Sequence, residues 1–380
     1  MIQFEIIQEK GRIQEYREYW NRLFDSGKFE FTTSFEWTQA LLSTHLEKDT
    51  FLLIVFRDTE EILGIVPMVI NQIKKYGVSL SNLFPISDYY NNIHSDLLFK
   101  NVTEELIKTF ITSLFSLGYK WDVFRISRFI ETNPILDCIE RFLKESSIRY
   151  EIKREEPSFF LSLDGTYNDY LKKRSYNFRK YIKKQIKKLT RDISHVEFVK
   201  HQNFNNFPDA YNQVLYIEKE SWKHKHGTAI SSTEKSNNFY RILCESASER
   251  EWLHLFILLL NNEPAAYNIG FVKDKKYFYL KTSFNEKFRE VSPSSILRAK
   301  LIEELIREGI KEIDFFAEPY EWQRRWAEEL RWHKSLLIYN KTYKAKLFSI
   351  YHSLKHKKAK FSAEDQFVYH NPLDVKPEKS

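Results

Sequence analysis

Hydrophobic and polar segments follow each other in the same order in two parts of the chain. At 51–126 and again at 253–316, two apolar strands joined by a polar turn precede a loop, an amphipathic helix, a glycine and a buried strand. When the two parts are aligned, Gly118 falls on Gly309. The repeat predicts two similar α/β (α+β) domains, each with a mixed, mostly antiparallel sheet flanked by helices.

Domain boundaries follow from the repeat. We expect an N-terminal domain at 1–163, a C-terminal domain at 164–350 and a polar tail at 351–380. A length of 380 residues suits two domains, and a hydrophobic content of 42% is enough for packed cores. The C-terminal domain should begin with one long helix, 168–191.

The composition says more about the environment of the protein than about its function. The net charge of +7 permits anionic partners such as nucleotides, CoA or RNA without selecting one. The two cysteines, Cys138 and Cys244, have no metal-like spacing, and the histidines lack enough partners for a metal site. The N-terminus lacks the apolar core of a signal peptide, and the longest apolar run, 253–260, is too short to span a bilayer. We therefore expect a cytoplasmic protein without a metal.

The segment 284–317 has the most suggestive chemistry. Ser292 is a good N-cap and Pro293 suits the first position of a helix that ends near Gly309. Free N–H groups and a partial positive charge at such a helix start bind phosphate or carboxylate. An ordinary capped helix would show the same pattern.

The order of hairpin, loop, helix and strand resembles the core of the GNAT acyltransferase superfamily. GNAT proteins hold the CoA pyrophosphate on a loop of pattern Arg/Gln-x-x-Gly-x-Gly/Ala, and Arg289-x-x-Ser292-x-Ser294 keeps its spacing with serine at both glycine positions. The resemblance implies tandem GNAT-like domains, of which the second binds an acyl-CoA donor. The implied donor-binding residues are Arg289, Val291, Ser292, Ser294 and Ser295.

A wider resemblance, from about Phe35 to Asn340, is to the FemAB-like branch, which includes the acyltransferase group named after cellulose biosynthesis proteins. In this sequence Ser294 replaces a glycine of the family pattern, and Glu321 replaces a lysine. The shared motifs are Ser87-Asp88-Tyr89, Tyr170-Leu171 with Arg179-Lys180, Ser221-Trp222-Lys223, Pro264-Ala265-Ala266, Ser292-Pro293-Ser294, Asp314-Phe315 and Tyr320.

Acyl transfer needs a positioned nucleophile, a polarised carbonyl and a proton for the leaving group. Tyr320 matches the place where GNAT enzymes often carry a tyrosine that protonates the CoA thiolate; it is also a candidate core or rim tyrosine. Glu218 and Asp314 are candidates to accept a proton from the nucleophile, or are charges at the ends of a helix and a strand. The candidate acceptor-binding residues are Asp88, Tyr89, Trp222 and Lys223, although Trp222 equally suits core packing.

The resemblance implies transfer of an acyl group, such as acetyl, from acyl-CoA to an amine or hydroxyl of a sugar or cell-envelope precursor. One alternative is a FemAB-type transferase with an aminoacyl-tRNA donor, and another is a non-catalytic binding module. The helix 168–191, with ten basic residues and no acid between Lys172 and Arg191, has three interpretations. It is a solvated strut, a flank of the donor pocket, or an RNA-binding surface.

Overall fold

The computed structural model describes residues 1–59, 61–90, 93–202, 207–316 and 319–358. These residues form two compact units. Unit 1 comprises 1–157 and 331–358, and unit 2 comprises 158–330. In the described residues, no helix has the length and apolar character needed to cross a membrane.

The strands and helices are named in chain order. The strands are β1 (Gln3–Ile7), β2 (Thr50–Asp58), β3 (Glu61–Lys75), β4 (Val78–Pro85), β5 (Leu98–Phe99), β6 (Val123–Ile130), β7 (Tyr150–Ser162), β8 (Val196–His201), β9 (Leu253–Leu260), β10 (Glu263–Lys273), β11 (Lys276–Phe284), β12 (Glu312–Asp314) and β13 (Glu329–Tyr339). The helices are α1 (Arg17–Asp25), α2 (Phe35–Thr44), α3 (Glu104–Ser116), α4 (Pro134–Glu145), α5 (Tyr167–Lys173), α6 (Tyr176–Asp192), α7 (Phe207–Lys219), α8 (Trp222–Lys225), α9 (Glu234–Glu249), α10 (Pro293–Arg307), α11 (Glu321–Arg324) and α12 (Tyr343–Lys358).

Unit 1 is built on a sheet with the strand order β1-β2-β3-β4-β6-β13, and β5 pairs with β3. Its neighbours are antiparallel except β4 and β6, which run parallel. The apolar sides of α3 and α4 close a core that contains Phe56, Phe110 and Phe124. Helix α3 and the strand β6 that follows it therefore occur in the order that the first repeat predicts.

Unit 2 has the same construction around residues 158–162 of β7, followed by β12, β11, β10, β9 and β8. Strands β11 and β12 run parallel, and α10 connects them. Leu297, Leu301 and Ile302 of α10 are buried in the core. Gly309, with a φ of 74°, follows the end of α10 in the left-handed conformation expected of a glycine there. The predicted mixed, mostly antiparallel sheet flanked by helices is confirmed.

The observed units differ from the predicted domains at their C-terminal ends. Residues 331–350, predicted to lie in the second domain, belong to unit 1 because β13 pairs with β6, Leu336 facing Ile126 in the register. The predicted polar tail, 351–380, begins inside α12, and its residues 359–380 lie outside the described residues. An apolar strand pattern shows that a strand forms, but not which sheet it joins.

The predicted single helix 168–191 is two helices, α5 and α6. Arg174 between them has an extended backbone with a ψ of 153°. The Ser175 side chain accepts a hydrogen bond from the Phe178 N–H and so caps α6. The Ser175 hydroxyl gives the Phe178 N–H a partner outside the helical backbone. A new helix therefore starts where the run of basic residues suggested one continuous helix.

Candidate functional site

The helix start at Ser292 is built differently from the expected N-cap. A 3-10 helix, Glu286–Val291, leads into Ser292, whose backbone is left-handed with φ 54° and ψ 55°. The Ser292 side chain makes no capping hydrogen bond, so the prediction of a side-chain cap is wrong. Instead the Ser292 carbonyl accepts from the N–H groups of Ser295 at 3.0 Å and Ile296 at 3.2 Å. A left-handed residue points its side chain away from the helical N–H groups that an extended N-cap residue reaches.

The donors that remain at this helix start are few. The Ser292 N–H donates to the Arg289 carbonyl at 3.1 Å, the Ser295 N–H is bonded to Ser292, and Pro293 has no N–H. Within the first turn of α10, as the structure describes it, the Ser294 N–H is left without a protein acceptor. Val291 is 4% exposed and packs in the core. The groups that remain to bind an anion at this helix start are therefore the Ser294 N–H, the Ser294 hydroxyl and the exposed Arg289 side chain.

Helix α6 lies beside this loop. The hydroxyls of Tyr181 and Ser295 are 3.0 Å apart, and the Lys188 ammonium is 3.0 Å from the Glu290 carboxylate. The same helix exposes Lys180, Lys183, Lys184 and Lys187, which have no ion pair among the described residues. Of the three interpretations of the basic segment, the contacts support a flank of the helix start.

Glu218, which is fully buried, and Lys223, whose side chain is 16% exposed, lie close together in unit 2. The Glu218 carboxylate accepts hydrogen bonds from the Tyr267 hydroxyl and from the Ile230 N–H, the latter at 3.0 Å. The Lys223 ammonium lies 3.8 Å from Glu218 Oε1 and donates to the Thr282 carbonyl at 2.6 Å. The end of α7 and the start of α8 thus meet β10 and β11 through polar contacts.

Burial sets the protonation of this cluster. It lowers the pKa of Lys223 to about 7; the charge of Lys281 acts in the same direction and that of Glu218 opposes both. The Tyr267 hydroxyl has a pKa raised well above its usual value, chiefly by burial and then by the Glu218 charge. At neutral pH the Lys223 amine is therefore partly unprotonated, and it can accept a proton.

The contacts of these two residues differ from those that their predicted roles suggest. Glu218 was the candidate base, but its oxygens are already engaged by Tyr267 and Ile230. Lys223 was expected to line an acceptor cleft, and it is the group with the pKa of a base. Trp222 beside it is 44% exposed, so the core-packing interpretation is wrong.

Asp314 and Tyr320 lie around the end of β12. The Asp314 carboxylate is fully buried, accepts from the Phe316 N–H at 2.8 Å and lies 2.9 Å from the Lys276 ammonium. These contacts favour the strand-end alternative over proton transfer. The Tyr320 side chain is 49% exposed, so it is not a core residue. The Tyr320 N–H donates to the Gln323 side-chain oxygen at 2.8 Å, which fixes the start of α11.

Asp88 and Tyr89 belong to unit 1. The Asp88 carboxylate is fully buried, accepts from the Ser127 N–H at 3.0 Å and lies 3.2 Å from the Arg125 guanidinium. Burial raises the pKa of Asp88 to about 7, and the Arg125 charge opposes this shift. Burial also raises the pKa of Tyr89. These contacts favour an internal structural role for Asp88 over contact with an acceptor.

Two polar residues of unit 2, Tyr267 and Arg298, were not among the predicted site residues. Tyr267 lies in an apolar strand, where an aromatic residue predicts core packing and nothing more. Arg298 is 6% exposed, although it lies on α10 between Leu297 and Ala299. Its Nε and Nη2 donate to the Tyr279 hydroxyl at 3.3 and 3.2 Å, and its guanidinium lies 4.0 Å from the Trp322 ring centroid. A cation within a run of apolar helix positions was the available signal for Arg298.

Comparison with known proteins agrees with this construction. Residues 176–324 match the family model of the acetyltransferase (GNAT) domain. No curated protein is significantly similar to the chain. The solved structure of FemX superposes with a TM-score of 0.58 at 9% identity, covering 91% of this chain and 99% of FemX. A conserved protein of unknown function from Bacteroides thetaiotaomicron VPI-5482 has a TM-score of 0.54 at 11% identity, covering 90% and 100% of the two chains. At these identities the likeness is one of fold.

Proposed function

We propose that this chain, whose residues 176–324 match the acetyltransferase (GNAT) domain and whose fold is similar to that of FemX, transfers an acyl group from acyl-CoA to an amine or hydroxyl of a sugar or cell-envelope precursor. Unit 2 holds the donor at the start of α10. Lys223 accepts the proton of the nucleophile. Tyr320 supplies a proton to the departing thiolate.

The observation that carries this proposal is the left-handed backbone of Ser292, with φ 54° and ψ 55°. GNAT loops have a glycine at this position of the pattern, and glycine adopts the left-handed region without steric cost. A serine there is strained by about 1–2 kcal/mol, and such strain persists only where the surroundings hold it. The loop therefore keeps a turn suited to glycine although the glycine is gone, which supports a retained donor site.

The anionic end of the donor would meet the start of α10. The Ser294 N–H and hydroxyl and the Arg289 guanidinium are its proposed contacts, and Lys188 of α6 lies next to them through Glu290. One free N–H is a weaker cradle than a glycine-rich loop provides. Side-chain cations must then contribute a larger share of the affinity for pyrophosphate.

The proposed reaction is a direct transfer. The acceptor nitrogen or oxygen attacks the thioester carbonyl and passes its proton to the unprotonated Lys223 amine. A C–N or C–O bond forms, the C–S bond breaks, and the thiolate takes a proton from the Tyr320 hydroxyl, which solvent restores. Glu218 orients Lys223 and stabilises the ammonium that results. The exposed indole of Trp222 is suited to stack on a sugar face of the acceptor.

A second candidate is transfer from an aminoacyl-tRNA. Four lysines of α6, Lys180, Lys183, Lys184 and Lys187, are exposed without ion pairs among the described residues, on the helix that flanks the loop. Such a face suits phosphate contacts without base readout. The occupied N–H groups of Ser292 and Ser295 also favour this candidate because they weaken a CoA site.

A turnover assay with both donors tests the proposal. Thiol release from acetyl-CoA is followed with a panel of amino sugars and sugar alcohols, and acyl transfer from charged tRNA is followed in parallel. The variants are Lys223→Met and, as a matched control, Lys225→Met, whose side chain is exposed and paired with Glu286. Acceptor-dependent thiol release that Lys223→Met alone abolishes supports the proposal.

Transfer from charged tRNA alone would replace acyl-CoA by the second candidate. Binding of neither donor to a folded chain would contradict both and leave a non-catalytic binding module.

A further inference from the structure

Helix α12 of unit 1 is apolar on two opposite faces. On one face Ala345 and Phe348 are buried against Leu80, Val123 and Leu337 of the sheet. On the same face, Nδ1 of His352 lies 2.7 Å from the Glu151 carboxylate, and this contact holds the ring in place. These contacts fix the rotation of α12 on the sheet, so its other face necessarily points away from the core.

The opposite face exposes large apolar side chains. Tyr343 is 76% exposed, Ile350 51%, Tyr351 53% and Leu354 57%. Spacings of three, four and seven residues place these four and the partly buried Leu347 along one side of the helix. We call this row of five side chains the apolar stripe. Soluble surfaces carry isolated apolar residues, whereas a continuous row marks an interaction site.

Lysines border the apolar stripe, and acids are missing from it. The sequence 343–358 contains no aspartate or glutamate. Lys341, Lys344 and Lys346 are exposed and make no ion pair among the described residues. In the sequence, Lys355, Lys357, Lys358 and Lys360 continue the basic character. The surface therefore combines exposed apolar side chains, two of them tyrosines, with uncompensated positive charge.

We propose that α12 docks on an anionic lipid surface, with the apolar stripe lying among the acyl-chain boundary and the flanking lysines among the phosphates. An amphipathic helix with aromatic and aliphatic residues on one side and lysines beside them lies in the interface plane of a bilayer. Juxtamembrane lysines gain energy from the negative potential of such a surface. The inference rests on unit 1 alone and does not depend on the reaction proposed for unit 2.

The charge pattern distinguishes lipid from other occupants of the stripe. A second copy would bring the same lysines against each other across a self-complementary contact, and like charges repel. RNA would satisfy the lysines and stack at most on Tyr343 and Tyr351, and it would leave Ile350 and Leu354 in water. An anionic bilayer satisfies the apolar and the charged groups together.

Vesicle flotation of the full chain tests the inference, with phosphatidylcholine vesicles and vesicles containing about a third phosphatidylglycerol. The variants are Ile350→Glu with Leu354→Glu, Lys344→Glu with Lys346→Glu, and Tyr119→Glu, which removes an exposed aromatic residue of unit 1 outside the stripe. We expect salt-sensitive binding to the anionic vesicles. Each double variant should weaken it at least about tenfold, and Tyr119→Glu should leave it within about twofold. Circular dichroism confirms that each variant is folded.

Several results would overturn the inference. They are the absence of vesicle binding by the full chain, and vesicle binding that survives both double variants. A dimer that Ile350→Glu with Leu354→Glu dissociates, without any vesicle binding, would assign the stripe to a second copy. Binding of a single-stranded RNA 20-mer that depends on Lys344 and Lys346, again without vesicle binding, would assign the lysines to nucleic acid.

Discussion

Lys223 holds its ammonium nitrogen 3.8 Å from the carboxylate of Glu218, in a part of unit 2 where the carboxylate has no exposed surface. Burial lowers the pKa of Lys223 to about 7, and the Glu218 charge works against that shift. The pair therefore provides a base whose pKa lies near neutral pH, and the charge of Glu218 raises that pKa.

This relationship predicts the pH dependence of acyl transfer. The active form is the unprotonated amine, so the rate should rise with pH, reach half its maximum near pH 7 and stay level above it. Glu218→Gln removes the charge that stabilises the ammonium, so the pKa of Lys223 should fall and the midpoint should move to lower pH. The profile of kcat/KM measures both midpoints. A midpoint that moves to higher pH in Glu218→Gln would contradict the assignment of Lys223 as the base.

The two serines of the donor loop should respond in opposite ways to glycine. Ser292→Gly relieves a left-handed backbone and should raise the free energy of unfolding by up to about 1 kcal/mol. Ser294→Gly lies inside α10 and should lower it by about 0.5–1 kcal/mol. Urea unfolding measures both. Destabilisation by Ser292→Gly equal to that by Ser294→Gly would be incompatible with a strained turn.

Asp88 and Arg125 form a buried ion pair in unit 1. Asp88→Ala leaves a nearly buried guanidinium without its carboxylate and should lower the free energy of unfolding by about 3 kcal/mol. Adding Arg125→Met should recover part of that loss because it removes the buried charge that faces Asp88. Asp137→Ala, on an exposed face of α4 in the same unit, should cost less than about 1 kcal/mol. A small effect of Asp88→Ala, equal to that of the control, would reopen a role in acceptor binding.

Tyr320 should act on the departing thiolate and not on binding. Tyr320→Phe keeps the ring and removes the hydroxyl, so kcat should fall about 100-fold or more while the KM for the donor changes little. Tyr343→Phe, another exposed tyrosine, serves as control. Thiols with a lower pKa leave more easily without a proton, so an acyl donor built on such a thiol should restore part of the rate. An unchanged kcat would remove Tyr320 from the mechanism.

The fold was largely predictable from the sequence because its information is periodic. The pattern of strand, helix, glycine and strand around Gly309 predicts β11, α10 and β12 in this order. The repeat predicts the two units. The membership of β13 in unit 1 was not predictable, since its pairing with β6 depends on contacts between residues about 200 positions apart, Leu336 and Ile126 among them.

The sequence singled out residues that the structure brings together, but it did not predict their contacts. Lys223 of the motif Ser221-Trp222-Lys223 lies 3.8 Å from Glu218, and whether either residue acts in a reaction stays a prediction. Which of the two accepts a proton depends on burial and on the hydrogen bonds from Tyr267 and Ile230, which come from distant parts of the chain. Likewise, Ser292 is a favourable N-cap by residue type, and only the backbone conformation shows that it serves as a left-handed turn.

The central claim, an acyl-CoA site at the start of α10, is tested most directly by calorimetric titration of CoA into the wild type, Arg289→Ala and Lys287→Ala. Lys287 lies two residues from Arg289 but is paired with Glu263, so it controls for the loss of a nearby charge. We predict micromolar binding that weakens about tenfold or more in Arg289→Ala and remains within about twofold of wild type in Lys287→Ala. Absence of CoA binding by the folded wild-type chain, or equal weakening by the two substitutions, would contradict the donor site.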